Sequence, residues 1–118
     1  MDIITARDYC LSLKGAEETT PFGPDWIVYK VMGKMFATFD LHRPCCISLK
    51  CDPDYAEELR DRYAAVEPAW HFNKRHWNQV WFDRDADDEL IRSLIRHSLD
   101  EVVKKMPKKL RETYAQLH

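Results

Sequence analysis

The chain is short of glycine, of long apolar runs and of net charge, and each shortage excludes a class of protein. Its 118 residues include only three glycines, and the formal net charge is −2. It has no phosphate-binding P-loop, no Gly-rich dinucleotide loop and no Gly-x-Ser-x-Gly motif of a hydrolase nucleophile. The apolar runs are too short to span a bilayer, so no membrane partner is expected. A slightly acidic chain does not attract polyanions as a whole, so any polyanion site is a local patch.

The N-terminal segment and the cysteines predict a cytoplasmic protein with reduced thiols. The segment MDIITARDYC carries three charged residues and is unlike the apolar stretch of a signal peptide. Cys45 and Cys46 are adjacent, which suits neither a normal disulfide nor the Cys-x-x-Cys pairs of a zinc site. We therefore expect free thiols at Cys10, Cys45, Cys46 and Cys51, and we expect no cofactor. The length predicts one domain covering residues 1–118.

The spacing of apolar residues predicts an α+β fold. Helical spacing from Ile3 to Leu13 indicates a first helix, Asp52-Pro53 begins a second, and Pro107 separates a long helix from a short last one. Asp85 or Asp87 is the expected N-cap of the long helix. Strands are predicted near residues 26–31, 34–41, 45–51 and 76–83. The order α-β-β-β-α-β-α-α predicts an antiparallel sheet of about four or more strands with helices packed on one face.

A register with residue 31 opposite 34 and 40 opposite 45 assigns the strand side chains to two faces. The more apolar set, predicted to face the core, is Ile27, Tyr29, Val31, Phe36, Ile47 and Leu49. The set predicted on the opposite face is Trp26, Val28, Lys30, Met35, Ala37, Phe39, Cys46, Ser48 and Lys50.

Metal binding and catalysis have weak support in the sequence. His71 and His76 are five residues apart, and no cysteine or carboxylate lies at a short spacing that would complete a metal site with them. Cys46 or Cys51 could form a thiol pair with His76 only if the fold brought the two together. We therefore predict no metal site and no catalytic residue, and hence a protein that is not an enzyme.

Basic residues are more informative by their location than by their number. Lys30, Lys34, Arg43 and Lys50 lie between residues 26 and 51 with Asp40 as the only acid there. Residues 70–81 add two more basic side chains and interleaved aromatics. Such a combination is typical of surfaces that pair with phosphates and stack on bases. The alternative is that the strand lysines protect sheet edges and that the tryptophans pack against helices.

Three motifs in this order resemble those of the MmcQ/YjbR family of small bacterial proteins. They are Lys-x-x-Gly-Lys-x-Phe at 30–36, Ser-Leu-Lys at 48–50, and Pro-x-x-His-x-Asn-Lys-x-His-Trp at 68–77. The resemblance runs nearly end to end. It implies a frataxin/CyaY-like α+β sandwich of the double-wing type and a DNA-binding, regulatory role. The matching polar positions are Lys30, Lys34, Lys50, Lys74 and His76, with Trp77 beside them.

The sequence and the resemblance together predict a DNA-binding surface. Its residues are Lys30, Lys34, Arg43, Lys50, His71, Asn73, Lys74, Arg75, His76 and Trp77. One alternative is a pocket for a small acidic ligand or a protein partner, formed by the Trp/His/Lys cluster. A weaker alternative is iron binding, suggested by the frataxin-like fold, with Asp52, Asp54, Glu57, Glu58 and Asp61 as ligands. A monomer is expected.

Overall fold

A computed structural model describes all 118 residues and contains four helices and six strands. The helices are α1 (Ile3–Ser12), α2 (Pro53–Arg62), α3 (Asp88–Lys104) and α4 (Lys108–Ala115). The strands are β1 (Ala16–Thr19), β2 (Trp26–Val31), β3 (Lys34–Asp40), β4 (Cys46–Lys50), β5 (Val66–Pro68) and β6 (Trp77–Trp81). The predicted α+β class is confirmed, and the four strands that were predicted occur within two residues of their predicted bounds. No helix is long and apolar enough to cross a membrane.

The strands form one antiparallel sheet in the order β1-β2-β3-β4-β6-β5. Its two edge strands, β1 and β5, are absent from the predicted order. The turn between β2 and β3 has positive φ at both Met32 and Gly33, as a two-residue hairpin of this twist requires.

Helices cover one face of the sheet, and two of them begin where an aspartate caps them. Asp52 and Asp87 each accept a hydrogen bond from the backbone N–H three residues ahead, so they cap α2 and α3 as predicted. Asp85, the other candidate cap, instead accepts the N–H groups of Ala64 and Ala65. Helix α3 packs across β3 and β4, and its apolar side joins a core of 24 buried residues between helices and sheet.

A β-bulge corrects the predicted register of β3. Tyr29 lies opposite Ala37, but Lys30 lies opposite Met35, so Phe36 is an extra residue on β3. Beyond the bulge the side chains exchange faces, and Ala37 lies opposite Leu49, where the predicted register placed residue 36. The prediction that Ala37 and Phe39 face away from the core is therefore wrong, because both belong to the core cluster.

Strands β3 and β4 pair only over a short stretch, and Ser98 of α3 joins them where the pairing stops. Their register consists of two residue pairs, of which Ala37 with Leu49 is the last toward the Lys50 end. Beyond it the Ser98 hydroxyl donates to the carbonyl of Phe36 and accepts from the N–H of Lys50 at 2.8 Å. The Ser98 side chain is fully buried. One helix side chain therefore satisfies two backbone groups that a longer ladder would have paired.

Candidate anion-binding site

Three lysines from distant parts of the chain converge on one cleft, here called the lysine cleft. Lys34 begins β3, Lys50 ends β4, and Lys105 follows the last residue of α3. The cleft has a volume of about 340 Å³, and its remaining walls are Met35, Trp77, Val102 and Met106. It lies where the sheet face opposite the core meets the C-terminal end of α3. A recess with three ammonium groups and apolar walls is suited to an anionic ligand.

The lysine cleft carries an excess of positive charge. None of its three lysines has a carboxylate within 4.0 Å, since the six ion pairs of the structure all involve other residues. Burial, together with repulsion from Lys105 and Lys34, lowers the pKa of Lys50. A bound anion would relieve that repulsion and restore the pKa.

His76 and Glu101 are two further titratable groups beside the lysines. Burial lowers the pKa of His76, and the positive charges of Lys105, Arg75 and Lys50 lower it further. Its Nδ1 atom is buried without a hydrogen-bond partner. Glu101 is only 4% exposed and accepts a hydrogen bond from Lys104 at 3.3 Å. Glu101 acts on Lys50 in the opposite direction, but it leaves the local charge positive.

Residues 69–76, here called the aromatic loop, cover the sheet face that the helices leave open. Asn73 organises the turn, because its carbonyl accepts the N–H groups of His76 and Trp77 and its side chain accepts that of Arg75. The Arg60 guanidinium of α2 donates to the Lys74 carbonyl and to Asn78 Oδ1, and thereby ties the loop to the helix layer. These hydrogen bonds hold the aromatic loop in a defined conformation against the rest of the fold.

Aromatic side chains of this loop form a second recess, here called the aromatic cleft. It has a volume of about 230 Å³ and is lined by Phe22, Trp26, His71 and Phe72. The rings of Trp26 and His71 meet edge to face, with centroids 5.2 Å apart. Phe22 is 66% exposed, so most of its side chain is open to solvent.

A small polar cavity of about 20 Å³ lies under Trp70 and His71, between the aromatic loop and the sheet. Thr38 Oγ1 lies in its floor, buried and without a partner, so the cavity is suited to a single ordered water. The Arg43 guanidinium, which also lines this cavity, lies 3.7 Å from the centre of the Trp70 ring.

The structure brings some of the predicted site residues together and separates others. Lys34, Lys50 and Trp77 line the lysine cleft, with His76 and Arg75 beside it. Lys30 is on the same sheet face, opposite Met35 on β3 and Glu17 on β1. Arg43 and His71 line the small polar cavity instead. Asn73 holds the turn of the aromatic loop, and Lys74 Nζ donates to the Ala69 carbonyl at 3.3 Å.

Sequence reasoning missed Lys105 and the aromatic cleft. Lys105 lies 55 residues beyond Lys50 at the end of a helix, where a basic residue is commonly explained by the helix dipole. Phe22 lies in a loop with two prolines, which gives no sign of contact with residues 71 and 72. Only the fold joins these segments.

The structure assembles no site for a Cys–His pair, for a metal ion at the histidines or for iron at the acids of α2. The Cys51 N–H donates to the His76 carbonyl at 2.7 Å, but burial raises the pKa of the Cys51 thiol to about 12. A raised pKa leaves little thiolate at neutral pH, and the thiolate is the nucleophilic form. No three Cys, His, Asp or Glu side chains are placed to hold one metal ion, and the acids of α2 are not so placed either.

Fold and sequence together place the chain among small bacterial α+β proteins. It belongs to the YjbR family, whose family model matches residues 11–101. The Escherichia coli K12 protein YjbR is 32% identical over 99% of this chain and 100% of its own length. The uncharacterised protein YbdF of E. coli O157:H7 is 34% identical over 89% of this chain and 87% of its own. The crystal structure of Deinococcus radiodurans DR2400, with domain DUF419, covers 96% of this chain and 87% of its own at 35% identity and a TM-score of 0.87.

Proposed function

We propose that the protein is a non-enzymatic DNA-binding protein of the cytoplasm that holds backbone phosphates in the lysine cleft. The observation that carries the proposal is the convergence of Lys34, Lys50 and Lys105 without carboxylate partners. Phosphates that neutralise these lysines release condensed counterions, which is the main source of affinity for DNA. Four free thiols, three of them buried, support the cytoplasmic assignment.

The test compares two double variants that remove equal charge. Lys34→Gln/Lys105→Gln removes two cleft lysines. Arg62→Gln/Arg92→Gln removes two charges elsewhere, since Arg62 is on α2 and Arg92 lies about 20 Å from Lys105 along α3. Binding is measured by fluorescence anisotropy of labelled DNA at about 50 mM salt, where each lost phosphate contact costs about tenfold in affinity.

The cleft variant is expected to bind about a hundredfold more weakly than the wild type, and the control within about threefold of it. On duplex DNA the slope of log K against log salt is expected to fall from about −2.7 with three contacts to about −0.9 with one. Equal losses in the two variants, or no binding by the wild type, would contradict the proposal.

A small acidic ligand is the second candidate, because the lysine cleft is concave and partly apolar. Met35, Trp77, Val102 and Met106 supply walls that a phosphate backbone would not need. Calorimetric titration with inorganic phosphate and with a mononucleotide distinguishes the two candidates. If a mononucleotide binds as tightly as an oligonucleotide, the small-ligand function replaces DNA binding.

A further inference from the structure

The aromatic and lysine clefts are neighbours, because a residue of one contacts a residue of the other. Phe72 lines the aromatic cleft and Trp77 lines the lysine cleft, and their rings stack with centroids 4.7 Å apart and an interplanar angle of 25°. One stacked pair is therefore the wall between the two recesses. Trp26 lines the aromatic cleft, and Met35 of the lysine cleft lies opposite Lys30, four residues further along β2, so the two side chains are about 13 Å apart along the sheet. That distance is the span of a few nucleotides.

We propose that the bound DNA is single-stranded, with bases stacking in the aromatic cleft while neighbouring phosphates occupy the lysine cleft. The proposal rests on the proposed phosphate-binding function and adds a second contact of different chemistry. Base faces are free to stack on protein rings in a single strand, whereas in a duplex they are stacked on one another.

The lining of the aromatic cleft suits a planar base. All four of its residues carry aromatic rings: the phenyl rings of Phe22 and Phe72, the indole of Trp26 and the imidazole of His71. Stacking on such rings is tolerant of sequence, because every base has a π-face. The exposed ring of Phe22 is the wall that an incoming base would cover.

Charge decides between a nucleic-acid strand and a protein segment as the occupant. An apolar protein segment would fit the aromatic cleft alone, but it leaves the adjacent lysines unpaired. A strand that carries one phosphate for each base satisfies both recesses at once. With a net charge of −2 the protein has little long-range attraction for DNA, so affinity has to come from local pairing and stacking together.

The test uses a labelled 12-nucleotide strand, the same strand in a duplex, and three variants. Phe22→Ala removes the exposed wall of the aromatic cleft, and Phe22→Tyr keeps a ring there. Ile4→Ala is the matched control, because Ile4 is 63% exposed on α1, away from both clefts. Since Phe22 and Ile4 are both largely exposed, these changes are expected to leave the fold intact.

The wild type is expected to bind the single strand more tightly than the duplex. Phe22→Ala should weaken single-strand binding about tenfold with no change on the duplex, whereas Phe22→Tyr and Ile4→Ala should bind like the wild type. Lys34→Gln/Lys105→Gln should weaken binding to both forms of DNA.

Each other outcome separates this proposal from the function on which it rests. Lysine-dependent binding that is equal for both forms and insensitive to Phe22→Ala overturns the single-strand proposal and leaves DNA binding in place. If the wild type binds neither form of DNA, both the single-strand proposal and the DNA-binding function are overturned. Saturation by a mononucleotide at the affinity of the 12-mer overturns the strand proposal in favour of a small ligand.

Discussion

Replacing Ser98 by alanine tests how strands β3 and β4 are joined beside the lysine cleft. The change leaves two backbone groups unpaired, the buried carbonyl of Phe36 and the partly buried N–H of Lys50. At about 1–2 kcal/mol for each unsatisfied group the loss is about 2–4 kcal/mol. Alanine is the better helix former by about 0.5 kcal/mol, which leaves a net loss of about 1.5–3.5 kcal/mol. For a domain of this size, Tm should fall by about 6–14 °C.

The assay is urea unfolding followed by circular dichroism, with Ser93→Ala as the control. Ser93 is exposed on the same helix, and its hydroxyl donates only to the Leu90 carbonyl within that helix. The control should therefore be neutral or slightly stabilising, because it gains helix propensity without leaving a buried group unpaired. If Ser98→Ala is as stable as Ser93→Ala, the hydroxyl does not hold β3 and β4 together and the reasoning fails.

Two further predictions concern the thiols and the acid side of the stability profile. Of the four free thiols, only Cys45 is exposed, and burial raises the pKa of Cys10, Cys46 and Cys51 to about 12, 11 and 12. One thiol should thus react promptly with a disulfide reagent in the native protein and four after unfolding, and Cys45→Ser should abolish the prompt reaction; a second prompt thiol would contradict the burial. Hydrogen bonds from Arg7 and Tyr29 lower the pKa of Glu18 below its usual 4.5, against the opposing effect of burial. Glu18→Gln should therefore cost about 0.5–1 kcal/mol above pH 4.5, and the difference should vanish as pH falls through the lowered pKa; unfolding curves whose separation does not change with pH would refute it.

Much of the fold could be predicted because it depends on short-range signals. Asp52 with Pro53 begins a helix by capping and fixed φ, and Pro107 ends one by removing a donor, whatever the rest of the chain does. The edge strands carry no such signal. Ala16–Thr19 contains two glutamates, and Val66–Pro68 has only three residues, so neither shows an alternating pattern. Their strand conformation comes from pairing with β2 and β6.

The bulge at Phe36 lay beyond sequence reasoning for a different reason. Phe36, Ala37 and Phe39 are all apolar, so the β3 sequence fits the core in either register. The register is decided by what packs on it, namely α3 with Ser98 between β3 and β4. A pattern with period two contains no information on where that period is interrupted.

The candidate site was only partly accessible to sequence reasoning. Lys34 and Lys50, both in the predicted DNA-binding surface, line one cleft, because antiparallel strands place the start of β3 beside the end of β4. Lys105 could not be added, since nothing local shows where a helix ends relative to a sheet. Charge alone groups Arg43 with the other basic residues, but its guanidinium lies over the Trp70 ring at the small polar cavity.

The two short edge strands also bear on how the protein behaves at high concentration. Free N–H and C=O groups along a sheet edge recruit strands from other molecules and begin aggregation. Here β1 presents four residues, of which Glu17 and Glu18 are charged, and β5 presents three, of which Pro68 has no N–H to donate. A sheet of six strands therefore ends on both sides in segments with little capacity to add a seventh. The same residues that make β1 and β5 hard to predict from the sequence also disfavour pairing with a strand of another molecule.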